Sequence, residues 1–287
     1  MKPRILVAGA TGALGRHVVE ALHRQGCPLR LLSRSAERVA ALASSDDQVH
    51  VGDATNREEI ASSCEGVDLV FSCLGQSVGA DPTLRSPGYY DIDYRANANL
   101  IEVAKSAGVQ RFVYVSVFAA ERYPQVAYLR AHADVAELLR GSGLSYAIVQ
   151  PTGYFSAYGE FLGLARRNQS VIIGNGQART NPIHDADLAQ ACVEALFDQS
   201  KQEYPVGGPD VFTRQEVVEL AHQVLGTPVV ARRVPPWMVR GAAGLIRFSA
   251  PRLGELAQFL ECVSTHDFVA PAYGTSRLVD YFRETHR

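Results

Sequence analysis

Cysteine and tryptophan are scarce in this sequence, and the placement of the cysteines excludes two kinds of cross-linked protein. The chain has 287 residues but only 5 cysteines, an odd number, and no two of them have the C-x-x-C spacing. A disulfide framework and a cysteine-based zinc site are therefore not expected. We predict free, mostly buried thiols and no bound metal.

Long runs of charge of one sign and long runs of apolar residues are also missing. Basic and acidic residues are scattered along a chain of net charge -2, so no basic stretch offers the phosphate contacts of a nucleic-acid-binding protein. No segment reaches the ~20 apolar residues that span a membrane, and Gly9 and Gly12 break the first apolar run too early for a secretory signal. We therefore predict a cytoplasmic protein that binds neither nucleic acid nor a membrane.

What the sequence does contain is an alternation of strand and helix patterns. Short apolar runs predict strands, and apolar positions three and four residues apart predict helices. The predicted strands are residues 4–8, 29–33, 49–51, 69–72, 112–117, 146–149 and 203–206, and the predicted helices are 13–25, 36–43, 55–61, 89–107, 126–140 and 185–197. This alternation predicts an α/β fold, a doubly wound parallel sheet covered by helices on both faces.

A glycine-rich loop, GATGALG at residues 9–15, joins the first predicted strand to the first predicted helix. In this context the first glycine allows a tight turn, the second lets the backbone approach a pyrophosphate, and the third lets helix and strand pack closely. The loop therefore predicts a Rossmann domain that binds a dinucleotide at a helix N-terminus. Its candidate cofactor ligands are Gly9, Thr11, Gly12, Ala13, Leu14 and Gly15.

The pattern also suggests how the chain is divided. We predict an NAD(P)-binding Rossmann domain over residues 1–150, to which 181–206 return, because the strand–helix alternation stops after residue 150 and resumes near 185. Residues 151–180 and 207–287 are predicted to form a smaller C-terminal substrate-binding lobe.

The choice of cofactor is read at the end of the second strand, where NAD-binding domains place an acid. This chain has Ser33 and Arg34 there instead, and a guanidinium suits a 2′-phosphate. NADP(H) is therefore the favoured cofactor, and NAD(H) stays open. The alternative for Arg34 is that it is only a solvated surface residue.

These segments, together with Val51-Gly52-Asp53 and the stretch RFVYVS at 111–116, resemble the atypical short-chain dehydrogenases/reductases. The NmrA-like branch, with its isoflavone-reductase-like enzymes, quinone reductases and divinyl chlorophyllide reductases, is the most similar. The resemblance implies a seven-stranded sheet, adenine contacted near Asp53, and the nicotinamide ribose near Gly75, Ser116 and Pro151. Asp53 has an alternative role as the flank of the helix predicted to begin near Thr55.

The catalytic candidates are Ser116, Tyr128 and His132. Classical members of the superfamily use serine, tyrosine and a lysine four residues after the tyrosine, a spacing that places both side chains on one helix face. His132 stands at the lysine position here. Three interpretations stay open: His132 replaces the lysine as ribose contact and proton relay, or hydride transfer needs no tyrosine acid, or the site is inert and only senses the cofactor.

Candidate substrate-binding residues are aromatic. Tyr154, Phe155 and Tyr158 follow a strand end, where open α/β sheets bind ligands, and Phe118 is a further candidate. These rings suit a flat, apolar substrate. The alternative is that they form a core between the two lobes. A second apolar stretch, residues 237–246, is read as a lid or subunit contact in preference to a membrane-surface helix.

Three functions follow in order of preference. The first is an NADPH-dependent reductase of an apolar carbonyl, enone or quinone, acting as a monomer or homodimer on a small molecule. The second is a non-catalytic NADP(H)-binding redox sensor, and the third is a nucleotide-sugar epimerase or dehydratase.

Overall fold

The structure is a computed structural model, and it describes residues 2–75 and 88–286. The strands are β1 (Ile5–Ala8), β2 (Leu29–Ser33), β3 (Gln48–Val51), β4 (Leu69–Ser72), β5 (Arg111–Val115), β6 (Ser145–Pro151), β7 (Ser170–Ile173), β8 (Arg179–Thr180), β9 (Glu203–Val206), β10 (Phe212–Thr213) and β11 (Ala231–Val234). The α-helices are α1 (Ala13–Arg24), α2 (Ala36–Ala40), α3 (Arg95–Ser106), α4 (Ala127–Gly141), α5 (Phe155–Arg166), α6 (Asp185–Phe197), α7 (Arg214–Leu225), α8 (Pro236–Ile246), α9 (Pro251–Thr265) and α10 (Leu278–His286).

The central sheet has seven strands in the order β3-β2-β1-β4-β5-β6-β9, and every neighbouring pair is parallel. This is the doubly wound Rossmann sheet that the sequence predicts. The strand order reverses between β1 and β4, so a crevice opens there at the carboxyl ends of the strands.

Alternate residues of β1 explain the two layers of helices. Side chains of a strand point to opposite faces in turn, and Ile5 and Val7 belong to one buried cluster with residues of α1 and α6. Leu6 and Ala8 belong to a second cluster, formed with residues of α3 and α4. Both faces of β1 are therefore covered, which accounts for its continuous apolar sequence.

A buried arginine fastens one end of the sheet. Arg111 begins β5 with 1% of its surface exposed. Its guanidinium donates hydrogen bonds to the carbonyl oxygens of Ala195, Asp198 and Lys201 and to Ser145 Oγ, at 2.7 to 3.0 Å. A cation thus meets the carboxyl end of α6, where backbone carbonyls lack helical partners.

The C-terminal segments form smaller units beside the sheet. β7 pairs with β11 in parallel and β8 pairs with β10 in antiparallel orientation. α5, α7 and α10 share one apolar cluster, whereas α8 packs on α9, which in turn contacts α4. Within residues 2–75 and 88–286, no helix is both long enough and apolar enough to cross a bilayer.

Most predicted elements are confirmed, including the helix at Asp185–Phe197 and the strand at Glu203–Val206 with the bounds the sequence suggests. The helix predicted for 55–61 is wrong: this segment is a series of turns. Asp53 and Asn56 accept hydrogen bonds from backbone N–H groups two residues ahead, which is the competition with helix that these side chains favour. The long helix predicted from 89 begins as a π-helical turn, Tyr90–Tyr94, and continues as α3.

Candidate functional site

The glycine-rich loop has no room for larger residues at two of its positions. Gly9 has a φ of +92°, and a Cβ there would lie 2.9 Å from the carbonyl oxygen of Cys73 on the adjacent β4 segment. A Cβ on Gly15 would overlap with the carbonyl oxygen of Gly9. These two glycines are therefore required by the fold itself, since they hold α1 against the turn that leaves β1.

Gly12 serves a different purpose. It is the N-cap of α1, has an ordinary φ of -73° and makes no side-chain cap, and both Gly12 and Ala13 are exposed. No acid stands in the first turn of α1, and Arg16, whose Nε donates to the Thr11 carbonyl at 3.2 Å, adds a positive charge. A helix N-terminus with free N–H groups and a nearby positive charge is suited to an anion, and we call this exposed start of α1 the cradle.

The side chain of Leu14 points the other way, into the cluster under α1. Two of the loop residues predicted to bind the cofactor, Leu14 and Gly15, are buried. Leu14 could therefore contact a cofactor only through its backbone. Thr11 lies half-buried between the turn and the exposed helix end.

Arg34 and Asp53 stand together beyond the ends of β2 and β3. Arg34 is exposed, and Ser33 uses its hydroxyl locally, accepting from the Ser35 N–H at 3.1 Å and donating to the Ser35 carbonyl at 3.0 Å. Burial alone would raise the pKa of Asp53, but hydrogen bonds from Thr55 and the nearby Arg34 charge outweigh it and lower the pKa. Asp53 is thus an anion that organises the turn after β3.

The carboxyl end of β4 is held by Asn97 of α3. Its side-chain carbonyl accepts from Ser72 Oγ at 2.6 Å, and its amide donates to the Leu74 carbonyl at 3.1 Å. Gly75 follows and is exposed; a Cβ there would lie 2.8 Å from Oδ1 of the buried Asp93. This strand end therefore passes directly against a buried carboxyl group.

Backbone contacts bring Ser116, Phe118 and Pro151 together where β5 and β6 end. The Ser116 N–H donates to the Val149 carbonyl at 2.8 Å, and the Phe118 N–H donates to the Pro151 carbonyl at 3.0 Å. Ser116 is 2% exposed, and its Oγ donates a long hydrogen bond, 3.4 Å, to the backbone carbonyl of His132. The serine thus links the strand end to α4.

Tyr128 and His132 lie one turn apart on α4, with ring centroids 4.7 Å apart in an edge-to-face contact. His132 Nδ1 is hydrogen-bonded to the phenol of Tyr114 at 2.6 Å, and its buried Nε2 has no hydrogen-bond partner within the described ranges. Burial lowers the pKa of His132 to about 4, so the ring is neutral at pH 7. Burial, and secondarily the charge of Asp93, raises the pKa of Tyr128, which keeps the phenol protonated.

Other aromatic rings enclose Tyr128. Tyr89 and Phe259 meet it edge to face, with centroids at 5.2 and 4.7 Å, and Phe118 belongs to the same apolar cluster. The Tyr89 N–H donates to Glu255 Oε2 at 2.9 Å, which ties the start of the π-helical turn to α9. The phenol of Tyr128 therefore lies in largely apolar surroundings that α9 completes.

The structure separates the other predicted aromatic residues. Tyr154 lies near Tyr128 and Cys73, and burial, followed by these neighbours, raises its pKa. Phe155 and Tyr158 are buried in the cluster shared by α5, α7 and α10. The Tyr158 phenol accepts a hydrogen bond from Arg214 at 2.7 Å, so protein atoms already surround these two rings.

Sequence reasoning missed four residues of this site: Tyr89, Asp93, Tyr114 and Phe259. Tyr114 lies inside an apolar strand pattern, where a phenol looks like any other core ring. Phe259 is far from the other residues in sequence, and no local pattern marks it. One signal did exist, since Tyr89 to Tyr94 is an unusually aromatic and acidic helix start.

The chain is similar to several known proteins. The chain is 26% identical over 80% of its length to Photosystem II assembly factor Ycf39 of Cyanophora paradoxa, covering 71% of that protein. It is also 26% identical over 99% of its length to the chloroplastic divinyl chlorophyllide a 8-vinyl-reductase of Zea mays, covering 79% of that protein. An NADPH-dependent quinone oxidoreductase from Escherichia coli, solved with NADPH, superposes with a TM-score of 0.72 at 20% identity, over 99% of this chain and 100% of that one.

The sequence pattern of the family described as NAD(P)H-binding matches residues 9–199, from the first glycine of the loop to just beyond α6. These residues include the glycine cradle, Arg34, and the Tyr128–His132 pair. The chain therefore belongs to the NAD(P)H-binding family, with the fold of the atypical short-chain dehydrogenases/reductases.

Proposed function

We propose that this protein is an NADPH-dependent reductase of an apolar carbonyl, enone or quinone. The observation that carries the proposal is the neutral pair of Tyr128 and His132 in aromatic surroundings at the carboxyl ends of β5 and β6. A protonated phenol can donate a hydrogen bond to the oxygen of an acceptor. It is a poor base, so it does not suit the oxidation of an alcohol, which needs a base. Of the relatives, one is named as a reductase of divinyl chlorophyllide and another as a Photosystem II assembly factor.

The cofactor cradle fits NADPH on steric and electrostatic grounds. The pyrophosphate is proposed to lie at the open N-terminus of α1, over Gly12 and Ala13. Arg34 is proposed to pair with the 2′-phosphate because it is exposed and no acid takes the place at the end of β2. Adenine near Asp53, and the nicotinamide ribose near Gly75, Ser116 and Pro151, follow the family pattern. When bound, NADPH supplies the hydride.

The chain's own residues then hold and orient the proton. Tyr114 and His132 share one hydrogen bond through Nδ1, and the buried Nε2 has no partner among the described residues. If Tyr114 donates, His132 carries its proton on Nε2 and becomes a neutral donor at the position where classical enzymes have lysine. His132 thereby supplies a directed hydrogen bond without the charge that would lower the pKa of Tyr128.

A neutral histidine at the position of the cationic lysine favours conjugate acceptors as substrates. A reduced quinone or enone forms a stabilised anion that takes its proton from water, whereas a simple ketone forms a strongly basic alkoxide that needs an acid beside it. Since Tyr128 is a weak acid here, we infer that quinones and enones are better substrates than simple ketones. The rings of Phe118 and Phe259 supply apolar contacts for a flat molecule.

The test is NADPH consumption by the wild type and by Tyr128→Phe with quinones, enones and aromatic ketones. We expect turnover of quinones to survive in Tyr128→Phe and turnover of ketones to fall by 10²-fold or more, about the contribution of a general acid. Tyr146→Phe is the matched control, because Tyr146 lies near the start of β6, at the opposite end of that strand from Pro151, and its phenol donates to Gln202 Oε1. No turnover by the wild type of any acceptor, with NADPH bound, would contradict the proposal.

One observation favours a second candidate, the NADP(H)-binding redox sensor. The position of the family lysine holds a ring that is neutral at pH 7, and a relative bears the name of an assembly factor. A sensor requires different affinities for NADPH and NADP⁺ without turnover. Equilibrium titration with both cofactors separates it from the reductase. The third candidate is disfavoured, because nucleotide-sugar epimerases rely on a Tyr-x-x-x-Lys pair that this chain lacks. The cytoplasmic location and the monomeric or dimeric state stay predictions.

A further inference from the structure

The outward face of α8 is apolar although it faces solvent. The side of α8 that is covered consists of Val239, Ala243 and Ile246, which are buried or half-buried. On the opposite side Trp237, Leu245 and Phe248 are 68%, 76% and 85% exposed. A surface helix normally carries polar residues on its outer side, so this face has the character of one that is covered in its working state.

No polar side chain interrupts the outer face. At 3.6 residues per turn, it is formed by Trp237, Met238, Gly241, Ala242, Gly244 and Leu245, and Phe248 follows in the turn after the helix. Arg240 and Arg247 lie seven residues apart, on one border between this face and the α9 side. The arrangement is a short helix with one continuous apolar outer face and a basic border.

The surrounding sequence carries charge of one sign only. Residues 227–254 contain five arginines and no lysine, aspartate or glutamate. Four of them, Arg232, Arg233, Arg240 and Arg247, are exposed. Arg240 contacts Glu261 of α9 at 3.1 Å and still has 61% of its side chain exposed. The partner that this face fits is therefore apolar in part and negatively charged in part.

We propose that α8 rests on the surface of an anionic lipid bilayer, with Trp237, Leu245 and Phe248 at the acyl boundary and the arginines among the headgroups. Apolar rings on one side of a helix and arginines at its border are the features of helices that lie in a membrane interface. The helix has 11 residues, which is about 16 Å and far too short to span. The protein is thus expected to touch the membrane without crossing it.

A second copy of the chain fits this face less well. In a two-fold dimer the same patch meets itself, which would place arginine against arginine. A single short helix also offers much less area than the ~800 Å² per partner of a stable interface. The sequence pattern alone favours a lid or subunit contact. We prefer the membrane surface because Trp237, Leu245 and Phe248 face solvent and arginines border them.

The single tryptophan of the chain makes the test direct, because Trp237 is the only indole. The full chain is titrated with vesicles of phosphatidylcholine alone and of phosphatidylcholine with phosphatidylserine, and tryptophan emission and vesicle flotation are recorded. We expect a blue shift and flotation with the anionic vesicles only, both reversed by high salt. Leu245→Glu with Phe248→Glu should abolish binding, and Arg247→Gln should weaken it about fivefold.

Phe197→Glu is the matched control, since Phe197 is an exposed apolar residue at the end of α6 and away from α8; it should leave vesicle binding unchanged. NADPH binding by every variant shows that the fold is intact. Absence of a shift with anionic vesicles would overturn the proposal. So would an equal shift with both vesicles, a shift that follows protein concentration without vesicles, or a shift produced by polyglutamate.

Discussion

The phenol oxygen of Tyr114 and Nδ1 of His132 are 2.6 Å apart, and neither side chain has appreciable contact with solvent. Tyr114 comes from a central strand and His132 from the helix that covers it. The contact occupies Nδ1 of the imidazole ring and leaves the buried Nε2 without a hydrogen-bond partner among the described residues. Tyr114 is therefore proposed as a positioning residue that acts through His132.

Tyr114→Phe should separate catalysis from binding. Loss of this hydrogen bond frees the imidazole to take either tautomer, so we expect kcat for ketones to fall roughly tenfold, about the value of one buried hydrogen bond. The dissociation constant of NADPH should change little. Steady-state kinetics and a cofactor titration check both, with Tyr146→Phe as control, and an unchanged kcat would show that the phenol does not orient His132.

The buried, neutral state of His132 predicts a stability that depends on pH. Its pKa is about 4 in the folded protein against 6.5 in an unfolded chain. Between these values the unfolded chain binds a proton that the folded protein does not, so stability is full above pH 6.5 and is lost as the pH falls toward 4. The slope should reach about 1 kcal/mol per pH unit.

Urea unfolding of the wild type and of His132→Gln, at several values of pH from 4 to 7, measures this effect as a difference in slope. The glutamine variant should show the shallower dependence because it does not titrate. His286→Gln, which changes an exposed histidine, should match the wild type. Parallel curves for the wild type and His132→Gln would mean that the ring titrates normally in the fold.

The two kinds of glycine in the cofactor loop should respond differently to alanine. Gly15→Ala forces a methyl group against the Gly9 carbonyl and should lower the melting temperature strongly. Gly12→Ala places its methyl group 3.3 Å from the same oxygen, at an exposed position, and should fold. NADPH binding by Gly12→Ala should weaken at least roughly tenfold, since the methyl group would stand where the pyrophosphate is proposed to lie. Binding as tight as in the wild type would refute the cradle.

Arg34→Ser tests the choice of cofactor. Loss of a charge-assisted pair with the 2′-phosphate should weaken NADPH binding roughly ten- to a hundredfold, whereas NADH affinity should stay the same. Arg38→Ser is the control, because Arg38 is an exposed arginine of α2 one turn further along. Equal losses for both cofactors would assign Arg34 a structural role.

Arg111→Met should destabilise the fold without touching the site. The change leaves buried carbonyl groups at the end of α6 without donors, which costs about 3–5 kcal/mol and lowers the melting temperature by about 10 °C. Arg24→Met, at an exposed arginine with a distant ion pair of 4.0 Å, should change stability by less than ~0.5 kcal/mol. Differential scanning calorimetry provides both numbers, and similar values for the two variants would contradict the anchoring role.

The sheet was predictable because its information is local. Apolar strands, the glycine loop and the helix at Asp185–Phe197 each carry their own pattern, and parallel topology follows from their alternation. The segment after β3 was mispredicted because Thr55 and Glu58 imitate a helix start while the side chains of Asp53 and Asn56 satisfy the backbone in turns.

The site was only half predictable. Ser116, Tyr128 and His132 follow a known spacing, but the state of His132 depends on Tyr114 and on burial, which no spacing reveals. Phe155 and Tyr158 look like a pocket wall in sequence because they follow a strand end, and the helices α7 and α10 that cover them come from much later in the chain. Distant segments decide whether an aromatic ring meets a ligand or a core.

The contact between Tyr128 and Phe259 joins residues that are far apart in sequence. Tyr128 belongs to α4 and Phe259 to α9. Because the two come from separate stretches, Phe259 can be replaced by a larger or smaller side chain without altering the spacing of Tyr128 and His132. Under the proposed function, the ring of α9 that would contact a substrate and the residues of α4 that would handle the proton lie on separate segments, so a substitution in α9 can change the shape of the site while the Tyr128–His132 pair stays in place.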